Sequence, residues 1–167
     1  MGSQKHLYSL DTLFRMAYDL KKQGRRIGIT HGAFDLFHVS HLDLLQKSSK
    51  LCDFLIVGVD CNRNISQYKS NHRPIIKQSD RLKIVNELSC VDAVFINNLQ
   101  LKPSAFTKLY RELKIDVVTI GQHFGFESVV YEQASRADAQ LIKINTRQYP
   151  TTTSIINKIV NVYSGEV

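Results

Sequence analysis

Residues 29–45 read ITHGAFDLFHVSHLDLL, and the order of residue types in this stretch decides the fold. An apolar run ends at Thr30, a glycine follows at Gly32, and an apolar helical pattern resumes from Val39. Strand, glycine turn, helix is the opening of a βαβ unit. Such a turn needs the glycine at most. It has no use for three imidazoles (His31, His38, His41) and the carboxylate of Asp35 within eleven residues. The surplus chemistry marks a site at the carboxyl end of a strand.

Outward from that turn, the chain alternates. Apolar runs predict strands over 26–30, 54–59, 92–96, 115–120 and 139–145. Helical periodicity predicts helices over 9–24, 39–51, 79–90, 103–113, 127–137 and 153–163. In the last of these, Ile155, Ile156, Ile159 and Val160 are spaced for one face. Near-continuous apolar strands separated by helices belong to a parallel sheet covered on both faces. Right-handed crossovers then give a doubly wound, Rossmann-like α/β fold with five strands. In such folds ligands sit beyond the carboxyl ends of the strands, where the strand order reverses. The 29–45 stretch falls there, and so does GQHFGF after the fourth strand.

The 167 residues are expected to form a single domain, residues 1–167, opened by a helix within 1–24 and closed by one over 153–163. The longest apolar runs, such as FLIVGV at 54–59, are too short to span a bilayer. The first ten residues lack a continuous apolar segment, so no secretory signal is expected. His6 stands where a myristoylation motif wants Ser or Thr. Cys52, Cys61 and Cys90 form no C-x-x-C, which fits a reduced, cytoplasmic protein. The net charge of +7 is scattered rather than run together, so it suits a polyanionic small molecule better than nucleic acid.

His38 and His41 are three apart at the start of a helix, so both face one spot beside its unpaired N–H groups. Two imidazole donors over the positive end of a helix suit a phosphoryl group gaining charge in a transition state. Gly32 would let the backbone come close to a ligand. His-x-x-His could also hold a metal, although no third ligand has a recognisable spacing. No G-x-G-x-x-G follows the first strand, which disfavours a dinucleotide-dependent oxidoreductase.

GAFDLFHVSH at 32–41 resembles the G-x-F-D-x-x-H-x-G-H motif of the nucleotidylyltransferase superfamily, cytidylyltransferase-like branch. Three further segments are similar to the heptose-1-phosphate adenylyltransferases of lipopolysaccharide precursor synthesis. They are the helix and KKQGRRIGITHGAFD leading into the motif, YKSNHRPIIKQSDRLKIVNELSCVDAVF from Tyr68, and TTTSIINKI from Thr151. The resemblance implies that Gly32, Ala33, Phe34 and Asp35 shape the loop against the nucleotide, with Ser40 beside them. It implies that His38, His41 and Lys69 are catalytic, and that Arg81, Gly121, Gln122, Thr151, Thr152 and Thr153 bind nucleotide. From the residues themselves, Lys69 reads as a swinging cation in a polar loop, Arg81 as a helix arginine for which a structural salt bridge is the lesser alternative, and Thr151 to Thr153 as helix caps.

Departures from the pattern are as plain. Ser40 replaces the motif's glycine, Gln122 and His123 stand where an acid is usual, and Arg147 is spaced one residue short of the glycerol-phosphate cytidylyltransferase arrangement. The implied reaction joins a nucleoside triphosphate to a phosphorylated small molecule and releases pyrophosphate. Mg²⁺ is the implied cofactor, held mainly by the triphosphate with no protein metal site. The segments favour ATP and a sugar phosphate; CTP with glycerol phosphate is the alternative, and a weakly active nucleotide-binding module is a reading of another class. The expected partners are those two substrates, with a homodimer open and neither membrane nor nucleic acid expected.

Overall fold

A computed structural model of the chain describes residues 7–99, 103–122, 125–146 and 149–164. His123, Arg147 and the first six residues lie outside the described residues. Among those described the order is α1 (Leu10–Lys22), β1 (Ile27–Gly32), α2 (Val39–Ser49), β2 (Phe54–Asp60), α3 (Asn62–Tyr68), α4 (Gln78–Asn86), β3 (Ala93–Asn97), α5 (Pro103–Glu112), β4 (Val117–Gly121), α6 (Glu127–Ser135), β5 (Gln140–Ile144) and α7 (Thr152–Tyr163). The doubly wound reading holds. The strands are parallel and lie in the order β3-β2-β1-β4-β5, so the order reverses between β1 and β4.

Period-two alternation sends side chains to both faces. Ile27 and Ile29 of β1, Ile56 of β2, Phe95 of β3 and Val118 and Ile120 of β4 enter one core with residues of α1, α5 and α6. Leu55, Val57 and Val59 of β2 and Val94 of β3 enter the other, with Leu45 of α2 and Val85 of α4. The chain after α2 approaches β1 so closely that a Cβ on Gly28 would lie 2.6 Å from Cys52 Sγ. Glycine is required there by packing.

Three aspartates tie the amino ends of the strands. Asp53 accepts from Arg26 N (2.8 Å), Asp92 from Leu55 N (2.8 Å) and Asp116 from Ile27 N (2.7 Å). The carboxyl ends are left open for a ligand.

Two elements differ from the sequence reading. Residues 62–68, given no helix from the sequence, form the short helix α3, which buries Asn64 and Ile65 and makes Lys69, read as a loop cation, its C-cap. Seven residues span only two turns, too few for a visible period. The apolar residues of α7 are also less covered than their spacing promised: Ile155 and Ile156 are half-buried, while Ile159 and Val160 are exposed.

Candidate active site

The β1–α2 loop is strained. Phe34 (φ 49°) and Leu36 (φ 46°) both occupy the left-handed region, which costs on the order of 1–3 kcal/mol each for such residues. Three sets of bonds hold them there. Arg81 Nη1 donates to the Ala33 carbonyl. The fully buried Asp35 carboxylate accepts from Arg73 Nε (2.6 Å), Ile75 N (2.9 Å), Ile76 N (2.9 Å) and Leu36 N (3.1 Å). The Thr152 hydroxyl donates to the Asp35 carbonyl (3.1 Å). Burial alone would raise the Asp35 carboxyl; the Ile76 and Ile75 N–H groups and the Arg73 guanidinium outweigh it and hold the group below the ordinary carboxylate value.

This clamp fixes the start of α2. His38 is the N-cap, and its Nδ1 accepts from Ser40 N (3.2 Å). His41 Nδ1 accepts in turn from His38 N (3.4 Å). A backbone N–H can only donate, so each neutral ring must carry its own proton on Nε2. The rings stack with centroids 4.0 Å apart. His38 Nε2 lies 3.3 Å from Thr152 Oγ1, so the proton direction runs from His38 to Thr152 to the Asp35 carbonyl. Burial lowers the His38 pKa. Burial, then the neighbouring His38, Lys69 and Arg73 charges, push His41 down to about 3 against the opposing pull of Asp35. Both histidines are therefore neutral Nε2–H donors near pH 7.

Thr152 opens α7, and Thr151 is its N-cap, accepting from Ser154 N (3.1 Å). The His38–Thr152 contact thus brings the amino ends of two helices within one hydrogen bond of each other. Two positive dipole ends and their unpaired N–H groups make an anion site. Lys69 and Arg73 supply fixed charge beside it. Loss of water around the Lys69 ammonium, and then the Arg73 charge, lower its pKa.

These groups line one cavity of about 770 Å³ at the carboxyl edge of the sheet. Of the residues singled out in the sequence, Gly32, Ala33, Phe34, His38, Ser40, His41, Lys69, Gly121, Thr151, Thr152 and Thr153 line it. Gly32 is not there for a turn: the nearest atom to an added Cβ is a Phe34 ring carbon at 3.7 Å, so the space kept free belongs to the cavity.

Three expected nucleotide contacts are not at the surface of this cavity. Asp35 is buried in its clamp. Arg81 is also fully buried, with its guanidinium donating to Ile76 O (2.8 Å), Ala33 O and Asn62 Oδ1 (2.9 Å); it shapes the loop from behind. Gln122, just beyond β4, is half-buried and does not line the cavity. Conversely, Arg73, Asp60, Asn97 and Gln133 line it without having been singled out. Only Arg73 left a trace in the sequence, as the arginine of the R-P segment.

The opposite wall is different in kind. His31 lies in β1 itself, stacks on Phe106 (centroids 4.6 Å apart) and is within 2.8 Å of the Tyr110 hydroxyl. Asp60, ending β2, accepts from Asn97 Nδ2 (2.7 Å) and Tyr68 Oη (2.7 Å). Among the described residues no group of three or more His, Cys, Asp or Glu side chains could hold a metal ion.

Fold and site together define an α/β protein with a cavity suited to an anion at the switch point of a parallel sheet. The sequence pattern of the Cytidylyltransferase-like family matches residues 29–159, and the chain belongs to that family of nucleotidyl-transferring enzymes. The bifunctional protein HldE of Desulfatibacillum aliphaticivorans is 31% identical over 95% of this chain and 32% of its own length. That of Campylobacter fetus is 32% identical over 95% of this chain and 32% of its own. The chain thus spans about a third of the length of these curated relatives. A lipopolysaccharide core biosynthesis protein from Thermoplasma volcanium superposes with a TM-score of 0.60 at 26% identity, over 72% of this chain and 97% of the other. A pantoate-β-alanine ligase from Francisella tularensis shares the fold (TM-score 0.61, 16% identity, 92% of this chain and 76% of the other). No described helix is long and apolar enough to cross a membrane.

Proposed function

We propose that the chain transfers an adenylyl group from ATP to a sugar phosphate, a heptose 1-phosphate in the leading case, with release of pyrophosphate. The observation that carries this is the meeting of the α2 and α7 amino ends through His38 and Thr152, flanked by Lys69 and Arg73. An anion with several phosphates suits that corner better than any neutral ligand.

In this reading an acceptor phosphate oxygen attacks the α-phosphorus in line. The new P–O bond forms as the α–β bridging bond breaks, and pyrophosphate carries the electron pair away. The acceptor is already an anion, so no general base is required. His38 and His41 donate their Nε2 protons as hydrogen bonds to the growing charge, without transferring them. Lys69 and Arg73 hold the two anions together against their repulsion. The donor set does not fit a protein-held metal: Asp60 is satisfied by Asn97 and Tyr68, and Asp35 is sealed in its clamp. Mg²⁺ therefore arrives on the triphosphate as part of the substrate.

The sugar-phosphate reading is supported by the segments shared with heptose-1-phosphate adenylyltransferases and by the name of the Thermoplasma volcanium relative. Three free cysteines fit a reducing compartment, and we place the reaction in the cytoplasm. Pyrophosphate release, measured with Mg–ATP and Mg–CTP against heptose 1-phosphate, hexose 1-phosphates and glycerol 3-phosphate, tests the reading. ATP with a sugar 1-phosphate should give the highest kcat/KM. A clear preference for CTP with glycerol phosphate would replace it with the cytidylyltransferase reading.

A further inference from the structure

Gln133 stands on α6 facing the cavity, only 5% exposed. Its amide makes no hydrogen bond among the described residues and reaches the cavity surface, although the rest of the side chain is covered. An amide held at a cavity wall on a covered side chain, with no protein partner, keeps its donor and acceptor for a ligand. Around it the cavity is apolar or neutral. Val129 and Val130 precede it on the same helix, and Phe106 of α5 lines the cavity with its ring stacked on His31. The acid and amide present, Asp60 and Asn97, are bonded to each other. Nothing on this wall is suited to a phosphate.

The position also matters. Helix α6 starts beside the strand ends and runs back along the sheet, so Gln133, six residues past Glu127, lies about 9 Å below the rim. A ligand that anchors its phosphate at Lys69 and Arg73 would send its other end toward this wall. An amide both donates and accepts, which matches a hydroxyl group and gives a charged group no advantage.

Resting on the nucleotidyl-transfer reading above, we infer that Gln133 is a specificity-determining residue that hydrogen-bonds a hydroxyl at the far end of the acceptor, making the acceptor a polyhydroxylated phosphate. A site built around a buried polar group rejects a ligand lacking the matching hydroxyl far more strongly than it rejects one of altered apolar size. Deoxygenation of the acceptor should therefore be punished, while the phosphate end is read independently.

The experiment compares wild type with Gln133→Leu and Gln133→Met, two apolar replacements of similar size that remove only the unpaired amide. Calorimetry gives the dissociation constants of heptose 1-phosphate, a hexose 1-phosphate and inorganic phosphate. For wild type, the best sugar phosphate should bind more tightly than inorganic phosphate. In both variants that margin should shrink about tenfold while inorganic phosphate binding stays the same. Melting temperature should hold or rise, which a structural role for Gln133 would not allow. Sugar phosphates that bind no better than inorganic phosphate, or variants that keep the full margin, overturn the inference. Pyrophosphate release with Mg–ATP is read separately. If the margin behaves as expected but no acceptor yields pyrophosphate, the transfer reading fails and the role of Gln133 stands. If pyrophosphate is released at unchanged sugar-phosphate KM in the variants, the transfer reading stands and this inference falls.

Discussion

The two walls of the cavity are built on opposite principles. On the α2–α7 wall each anchoring polar group is tied down: the Asp35 carboxylate accepts four hydrogen bonds, and the Nδ1 atom of both His38 and His41 takes a backbone N–H. On the α5–α6 wall Phe106, Val129 and Val130 make an apolar surface around an amide with no hydrogen-bond partner among the described residues. The first wall is finished before any ligand arrives. The second is left incomplete, and completing it is the ligand's part. Chemistry common to a family belongs on the first, and choice of acceptor on the second.

The sharpest test of that contrast is a pair of changes that each remove a buried polar group. Asp35→Asn keeps the side-chain volume but leaves Arg73 without its carboxylate and turns one acceptor toward donors. Stability should fall by about 3–5 kcal/mol, the cost of breaking a buried ion pair by removing one partner. Gln133→Leu should cost nothing or add stability. Urea denaturation of the two variants beside wild type decides it. Equal losses would mean that the walls are not different in kind.

Next in size is the effect of the histidines on rate. Alanine at His38 would remove the helix cap along with the cavity donor, so the two roles would be confused. Asparagine separates them, since its amide can take the place of Nδ1 while nothing replaces Nε2. His38→Asn and His41→Asn should each lower kcat by about 10²–10³-fold, roughly 2.7–4 kcal/mol of transition-state stabilisation, with triphosphate affinity falling less. Single-turnover kinetics at saturating triphosphate checks this. Full activity in a well-folded His38→Asn protein would reduce that residue to a cap.

The difference between the walls also governs what could be read from the sequence. His38 and His41 were legible because their spacing and their place at a helix start are local facts. So were the strands, whose apolar runs need no partner to be seen. The clamp was half legible: Asp35 and Arg73 both belong to recognisable segments, but they are 38 residues apart in sequence and only the fold shows them bonded. Arg81 was misplaced because a motif records that an arginine stands on a helix, not which way a long flexible side chain turns. It turned inward to the Ala33 carbonyl. Gln133 was invisible, since an unpaired amide among α6 residues looks like any helix surface glutamine until burial and cavity are known.

Acid should act chiefly on the finished wall. An unfolded imidazole takes up its proton near pH 6.5, whereas folded His41 does so only at about 3. Between those values the unfolded chain binds more protons, so the stabilisation is fully present above pH 6.5 and is lost as the pH falls toward 3. His38 and His31, both lowered mainly by burial, act in the same direction. From pH 7 to pH 5 the His41 share should be about 2 kcal/mol. Denaturation midpoints across that range measure it, and His41→Asn should have a flatter profile than wild type. Equal slopes would mean that His41 is not held neutral by burial.

The smallest effect is expected at Ser40, which replaces the motif's glycine on the finished wall. Its backbone N–H donates to His38 Nδ1, and that bond survives any change of side chain. The side chain lines the cavity, so Ser40→Gly removes a methylene and a hydroxyl from the space beside the phosphates. At the second residue of α2 the glycine should cost up to about 1 kcal/mol of stability through its greater backbone freedom. Triphosphate KM should change by less than about tenfold, below roughly 1.4 kcal/mol, because the dipole ends, the histidines and the cations all remain in place. Kinetics of the variant beside wild type, on the best substrate pair, reads this directly. A large gain in turnover would show that the serine obstructs a nucleotide, so that even the finished wall carries a restraint particular to this chain.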